Sequence, residues 1–275
     1  MGTTWDPTQY LRFADERARP FGDLMTRVGV ESPATVVDLG CGPGNMTAVL
    51  SERWPSALVT GIDSSKEMVD RAAGLTRPGR LEFRQGDLAT WRPDGPVDVI
   101  VCNATLQWVP GHLALLPGIL DALAAGGCLA FQVPANFSRP SHVLMRELAL
   151  SERWNETLGR AVESGPSSHE PEEYLEALLA SPRAAGVDVW ETTYLQVLSG
   201  PDPVLDWVKG TTLRPVLAAL RAPEARPGDE EEFLTAYASV LRAAYPRDRA
   251  GRTIFPFRRI FGVSHVAQGP DRGSR

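Results

Sequence analysis

The sequence predicts an α/β fold, a Rossmann-like and mostly parallel open sheet with helices on both faces. Three observations carry that expectation. Short apolar runs alternate with amphipathic helical stretches between residues 36 and 133, and strands joined by such crossovers lie parallel with right-handed connections. Three alternate glycines, Gly40, Gly42 and Gly44, separate the first of these strands from the next helix. Acidic or amide residues recur near strand ends, at Asp38, Asp63, Asp87 and Asn103, and the carboxyl edge is where open α/β sheets bind ligands.

Taken in order, residues 6–13 precede a helix that ends near Gly29. The aromatics Trp5, Tyr10 and Phe13 there either pack on the sheet edge or fold over a ligand. The first strand, from 36, runs into the glycine turn and a helix at 46–53. A second strand at 57–62 is closed by Asp63, and Ser64 and Ser65 open a helix with Met68, Val69, Ala72 and Ala73 on its apolar side. The third strand, 81–85, leads to Gly86, Asp87 and Leu88. The fourth, 97–102, ends in Asn103, and the fifth follows the Ala125, Gly126, Gly127 turn over 128–133.

Glycines let a backbone bend sharply and approach a ligand with no Cβ in the way. Their spacing discriminates between ligands. The dinucleotide fingerprint G-x-G-x-x-G would need a third glycine where Asn45 stands. The pattern is D-x-G-x-G-x-G, beginning at Asp38, and it resembles motif I of the class I S-adenosylmethionine (SAM) methyltransferases. Asp63 stands about 20 residues on, the interval at which an acid meets ribose hydroxyls, with Ser64 beside it. The resemblance implies SAM as cofactor, held by Asp38, Gly40, Gly42, Gly44, Asn45 and Asn103, with Asp87 and Leu88 at the adenine. Taken singly, a glycine turn is only a tight turn and an acid after a strand is a helix cap. The series at successive strand ends is what points to a cofactor.

Composition narrows the partners. A net charge of −6, from 28 basic and 34 acidic residues, argues against general affinity for nucleic acid or an anionic membrane, and a small molecule or a protein is the expected substrate. Cys41, Cys102 and Cys128 are odd in number and lack metal spacing, reading as reduced, packed thiols. The four histidines, His112, His142, His169 and His265, are scattered without i, i+4 pairing, so no metal is expected. No signal peptide is evident, and glycines, Pro117 and Asp121 interrupt the most apolar stretch. These features lead to the expectation of a cytoplasmic protein.

After residue 133 the rhythm changes. Helical stretches at 143–151 and 172–180 follow without an intervening strand, and strands return at 187–197 and 253–266. Between those lie helices at 201–209 and 213–221 and an acidic one from Asp229 to Tyr245. Trp5 to Pro7, Tyr10 to Phe13, Asn103 to Pro110, Trp207 to Pro215 and Phe255 to Phe261 together resemble the trans-aconitate 2-methyltransferase family. The resemblance implies a seven-stranded sheet, the seventh strand antiparallel beside the sixth, with helical cap insertions after strands five and six. The expected division is 1–135 as SAM-binding core with N-terminal helix, 136–185 as first cap insertion, 186–199 as strand six, 200–252 as second insertion, 253–267 as strand seven and 268–275 as flexible tail. Thr253, Phe255 and Phe257 are expected near the pocket.

The implied reaction is methyl transfer from SAM to one carboxylate of a small tricarboxylic acid. A carboxylate is ionised at neutral pH, so no general base is expected; alignment and a dry site help an in-line displacement. Specificity then lies in holding the carboxylates that do not react, a task for arginine. Arg214, with Thr211 and Thr212 beside it, heads the candidates, and Arg146 is a weaker one. Arg258 and Arg259 alternate on the seventh strand, which leaves open which of them faces a pocket. Gln107 either binds substrate or caps a turn, and Trp108 either walls the methyl group or packs. Alternatives are another acidic acceptor, such as a malonyl carrier protein or a specialised metabolite, and a SAM-binding protein without catalysis.

Overall fold

The computed structural model describes residues 14–268 apart from 164 and 224. Trp5, Tyr10, Phe13 and residues 269–275 of the expected tail lie outside the described residues. Seven strands form one sheet among the described residues: β1 (Thr35–Leu39), β2 (Leu58–Asp63), β3 (Leu81–Gln85), β4 (Val97–Asn103), β5 (Leu123–Pro134), β6 (Ala184–Ser199) and β7 (Arg252–Val266). Their order is β3-β2-β1-β4-β5-β7-β6. The first five pair in parallel and β7 runs antiparallel to β5, the arrangement expected of strands one to five and seven. The chain reverses its direction of travel across the sheet between β1 and β4, the switch point where such sheets open a crevice.

Central strands buried on both faces read as continuous apolar runs, and β1 and β4 do so, with Val36, Val37, Leu39, Val99, Ile100 and Val101 all buried. Asp98 on β4 ties the strands' starts together, its Oδ2 accepting from the N–H groups of Ala34 and Thr35 at 2.8 and 2.9 Å. Helices α1 (Ala14–Met25), α2 (Asn45–Arg53), α3 (Lys66–Ala72) and α4 (Leu116–Asp121) accompany the first five strands. The strand and helix alternation breaks once, because β3 joins β4 through a loop, residues 86–96. The glycine turn expected before strand five is a bulge inside it: pairing with β4 jumps from Leu123 to Cys128. Gly127 packs its backbone so closely there that a Cβ would meet the Ala124 carbonyl at 2.9 Å.

The remaining helices are α5 (Pro140–Ala149), α6 (Asn155–Glu163), α7 (Pro171–Leu179), α8 (Pro203–Lys209), α9 (Arg214–Leu220) and α10 (Asp229–Ala244). By contacts the chain forms two units. Among the described residues, the sheet unit holds Ala18–Pro134, Ser168–Thr192 and Arg259–Gln268, and the helical unit holds Ala14–Arg17, Ala135–Ser167 and Thr193–Arg258. Residues 168–185, expected in the first cap insertion, therefore belong with the sheet. The reason is α7: Tyr174 is fully buried, packs 5.3 Å from the Phe131 ring of β5 and hydrogen-bonds His112 Nε2 at 2.8 Å. Arg183 adds donors to the carbonyls of Leu120, Asp121 and Leu123.

The helical unit has its own core, in which Trp207, Phe233, Tyr237, Trp154 and Leu213 meet the β7 residues Phe255 and Phe257. Trp207 lies 5.9 and 5.5 Å from those two phenylalanine rings. Phe255 and Phe257, expected at the pocket, are consumed by this core. Asn136, wholly buried, staples β7 through Nδ2 to the Pro256 carbonyl and Oδ1 to the Arg258 N–H. Buried His142 bridges Ser141 Oγ at 3.0 Å and Thr212 Oγ1 at 2.9 Å. Burial, helped by the Arg146 charge, pushes its pKa from 6.5 down to about 3.

Among the described residues, no group of three His, Cys, Asp or Glu side chains could hold a metal ion, and no helix is long and apolar enough to cross a membrane. The depressed His142 pKa sets a pH dependence of stability. Between about 6.5 and about 3 the unfolded chain takes up a proton that the native chain refuses, so stability falls as pH falls. Thermal unfolding should show a larger loss of Tm between pH 7 and pH 5 for the wild type than for His142→Gln, which cannot protonate. Equal losses would mean that His142 does not carry this dependence.

Candidate active site

The three glycines of the turn all have left-handed φ, +77° at Gly40, +55° at Gly42 and +83° at Gly44, conformations that side chains disfavour. They serve three different contacts. A Cβ on Gly40 would fall 2.0 Å from Thr105 Cγ2, and one on Gly44 would fall 2.7 Å from the Phe83 ring of β3. Only Gly42 faces open space, with no atom within 4 Å of the point where a Cβ would stand. Gly42 thus leaves room beside the backbone, whereas Gly40 and Gly44 are glycine because protein side chains fill the space.

The turn's own donors are used. Gly40 and Cys41 N–H both reach the Ile62 carbonyl, at 2.7 and 3.0 Å, and Gly42 N–H reaches Asp63 Oδ2 at 2.8 Å. Asp63 Oδ1 accepts from Ser65 N–H at 2.8 Å. The half-buried Asp63 carboxylate is therefore fixed between the glycine turn and the start of α3, and each oxygen keeps a lone pair for a hydroxyl. Ser64 is exposed beside it, and Ser65 is the residue that caps α3, accepting from Met68 N–H.

Asp38 lies beneath the turn, 2% exposed, and accepts from Thr47 Oγ1 of α2 at 2.7 Å. Burial pushes its carboxyl up to about 6 against the lowering effect of that hydrogen bond. Its contact holds α2 to β1. Asn45 opens α2, whose first N–H groups lack intrahelical partners as at any helix start. Past β3, exposed Asp87 turns its carboxylate to Ala89 N–H at 2.9 Å, and Leu88 is buried. Burial also pushes up the pKa of all three thiols, Cys41, Cys102 and Cys128, which are free.

The end of β4 is drawn to this turn. Thr105 Oγ1 lies 3.1 Å from the Gly40 carbonyl and 3.2 Å from the Asn103 carbonyl. Between them Ala104 takes φ +54°, a strained value for a residue with a Cβ. It is held by its N–H on the Gln132 carbonyl at 2.9 Å and by Gln107 Nε2 on its own carbonyl at 2.6 Å. Gln107 is buried and takes the local capping role, while Trp108, 47% exposed, presents its indole to solvent.

Asn103 and Arg259 meet through a residue that sequence reading passed over. Gln132 of β5, 1% exposed, donates from Nε2 to Asn103 Oδ1 at 2.8 Å and accepts at Oε1 from Arg259 at 2.9 Å. Arg259 falls on the buried side of β7 and Arg258 is half-buried. In the helical unit Arg214 is half-buried at the start of α9, and the hydroxyl of neighbouring Thr212 is engaged by His142.

The carboxylates of Asp63 at the end of β2 and Asp87 just past β3 disfavour a pyrophosphate and suit a cationic ligand that carries hydroxyls. The open Gly42 side and the fixed Asp63 carboxylate fit SAM, a sulfonium with a ribose. A family model described as a methyltransferase domain matches residues 10–192. The chain superposes on YcgJ of Bacillus subtilis with a TM-score of 0.58 at 16% identity, covering 91% of this chain and 99% of that one. It superposes on Haemonchus contortus phosphoethanolamine N-methyltransferase 2, solved with SAM, with a TM-score of 0.53 at 14% identity, over 91% of this chain and 53% of that one. Fold, cradle and family model together define a class I, SAM-dependent methyltransferase.

Similarity in sequence is narrower. Trans-aconitate 2-methyltransferase of Streptomyces avermitilis is 56% identical over 95% of this chain and 97% of its own, and that of Streptomyces coelicolor is 52% identical over 97% and 88%. The enzyme of the same name from Rhodococcus jostii is 47% identical over 95% and 99%. The chain belongs to the trans-aconitate 2-methyltransferase family.

The division of labour among the glycines is testable. Gly40→Ala forces a clash with Thr105 and should lower Tm by many degrees. Gly42→Ala adds a methyl to open space, so only its φ cost of about 1 kcal/mol should register in Tm, while SAM affinity measured by calorimetry should drop at least about tenfold. Equal stability loss in both variants would refute the assignment.

Proposed function

We propose that this protein transfers the methyl group of SAM to one carboxylate of trans-aconitate or a closely related small polycarboxylic acid. The observation that carries the reading is the carboxylate-lined glycine cradle in a chain alike over nearly its full length to enzymes of that name. SAM supplies a methyl on a cationic sulfur, open to displacement by an oxygen lone pair. In this reading Asp63 accepts the ribose hydroxyls, Asp87 and buried Leu88 border the adenine, and Gly42 gives the backbone its close approach. Asp38 sets the pitch of α2 through Thr47, so that the turn keeps its shape.

No residue need remove a proton, because the acceptor carboxylate is ionised at neutral pH. The C–O bond forms as the C–S bond breaks, the electron pair leaves on sulfur, and opposite charges disappear. The protein's work is alignment and exclusion of water. Holding the carboxylates that do not react is work for guanidinium groups, since a planar fork meets a carboxylate with two parallel hydrogen bonds, and Arg214 and Arg258 are the candidates that the sequence offers. Three free, buried thiols suit a reducing cytoplasm, where we place the protein.

The test is incubation with methyl-labelled SAM and a panel of trans-aconitate, cis-aconitate, citrate and a malonyl carrier protein. Label should pass to trans-aconitate in preference to the others, and labelling of the carrier protein alone would overturn the acceptor assignment. Asp63→Ala should weaken SAM binding by at least about tenfold, as expected for loss of hydrogen bonds to a charged partner. Calorimetry showing unchanged affinity would remove Asp63 from the ribose.

A further inference from the structure

The hydrogen-bonded series Arg259, Gln132, Asn103 crosses three adjacent strands of the sheet unit, β7, β5 and β4. Its direction is not arbitrary. The two ends of an amide have nearly the same shape, so either orientation of Gln132 or Asn103 would fit the space. A guanidinium, however, has donors and no acceptor. Arg259, 7% exposed, therefore compels Gln132 to present Oε1 to it, which turns Nε2 toward Asn103. Asn103 must answer with Oδ1, which leaves Nδ2, with both of its hydrogens, as the end of the amide that Gln132 does not engage.

We infer that Arg259 and Gln132 act as positioning residues that make Asn103 an obligate hydrogen-bond donor, and that this donor holds a carboxylate oxygen of the methyl acceptor. The inference rests on the cradle reading given above. With ribose at the end of β2 and adenine past β3, SAM runs along the edge so that its methyl end comes last, toward β4. The acceptor must lie beyond it, on the β5 side, and that is the side to which Asn103 reaches. An amine acceptor would need a lone pair from the protein at this point, whereas a carboxylate needs an N–H. An acid in place of Arg259 would reverse both amides and offer the lone pair.

Gln132→Glu tests the polarity while keeping shape. Glutamate still accepts from Arg259, but it must also accept from Asn103, whose Nδ2 then turns inward and whose Oδ1 turns out toward the acceptor. Expected are a rise of about tenfold or more in KM for trans-aconitate, and an equal loss in its affinity by calorimetry with S-adenosylhomocysteine present. SAM affinity should stay within about twofold and Tm nearly unchanged. Asn103→Ala, at a half-buried strand end, should raise the same KM and serves if the glutamate variant does not fold.

An unchanged acceptor KM in both variants would overturn the inference. So would a loss of SAM affinity with acceptor KM intact, which would assign Asn103 to the cofactor's own carboxylate. Wild-type controls separate this inference from the reading beneath it. If the wild type does not bind SAM, the cradle reading fails and the inference falls with it. If it esterifies another acid of the panel, only the named acceptor fails, and the relay is judged on the KM of that acid.

Discussion

Everything at the carboxyl edge depends on one close approach, the Gly40 backbone against Thr105. With a Cβ at Gly40 only 2.0 Å from the threonine methyl, the ends of β1 and β4 could not lie as they do. That contact lets Thr105 Oγ1 reach the Gly40 and Asn103 carbonyls together, and it draws Ala104 into left-handed backbone. The glycine turn and the 103–108 turn are consequently one piece of structure. Its strain is offset by hydrogen bonds from Gln107 and to the Gln132 carbonyl, so rigidity at the edge is built from below rather than supplied by a ligand.

Charge is sorted along the same edge. The carboxylates of Asp63 and Asp87 end β2 and follow β3, the side that suits a sulfonium and ribose. From β4 onward the polarity inverts, beginning with an arginine-driven series of donors. Under the proposed function, a cationic methyl donor and an anionic acceptor meet complementary halves of one strand edge. Since the reaction cancels those two charges, neither half has to stabilise a charge that persists. The raised carboxyl of Asp38 belongs to the same pattern, being a buried acid whose charge its surroundings disfavour and which serves as a strut.

Much of this was legible because it is local. Apolar runs placed β1 to β4 within a residue or two, Ser65 was readable as a cap, and the D-x-G-x-G-x-G spacing separated SAM from a dinucleotide. What lay hidden involves partners distant in sequence. Nothing in the glycine triplet says that Gly40 answers to Thr105 and Gly44 to Phe83. Alanine gives no sign of a left-handed φ at 104, and Gln132 reads as one residue of an apolar strand. Phe255 and Phe257 alternate correctly, but only the Trp207 ring shows that they serve a core. Residues 168–185 look like a continuation of the helical insertion until Tyr174 and Arg183 bind them to the sheet.

The placement of β7 has a consequence for how this chain comes into being. It is the last strand in sequence yet occupies an interior slot, between β5 and β6. Until β7 has been made, β6 has no neighbour to pair with and β5 keeps an open edge. Neither unit is a continuous stretch of chain, since β6 and β7 each pass from one to the other partway along their length. The sheet cannot close until β7 is available, and a long interval of exposed strand edges is where aggregation competes with folding. Loss of β7 would strip both units at once, since Arg252–Arg258 belong to one and Arg259–Val266 to the other.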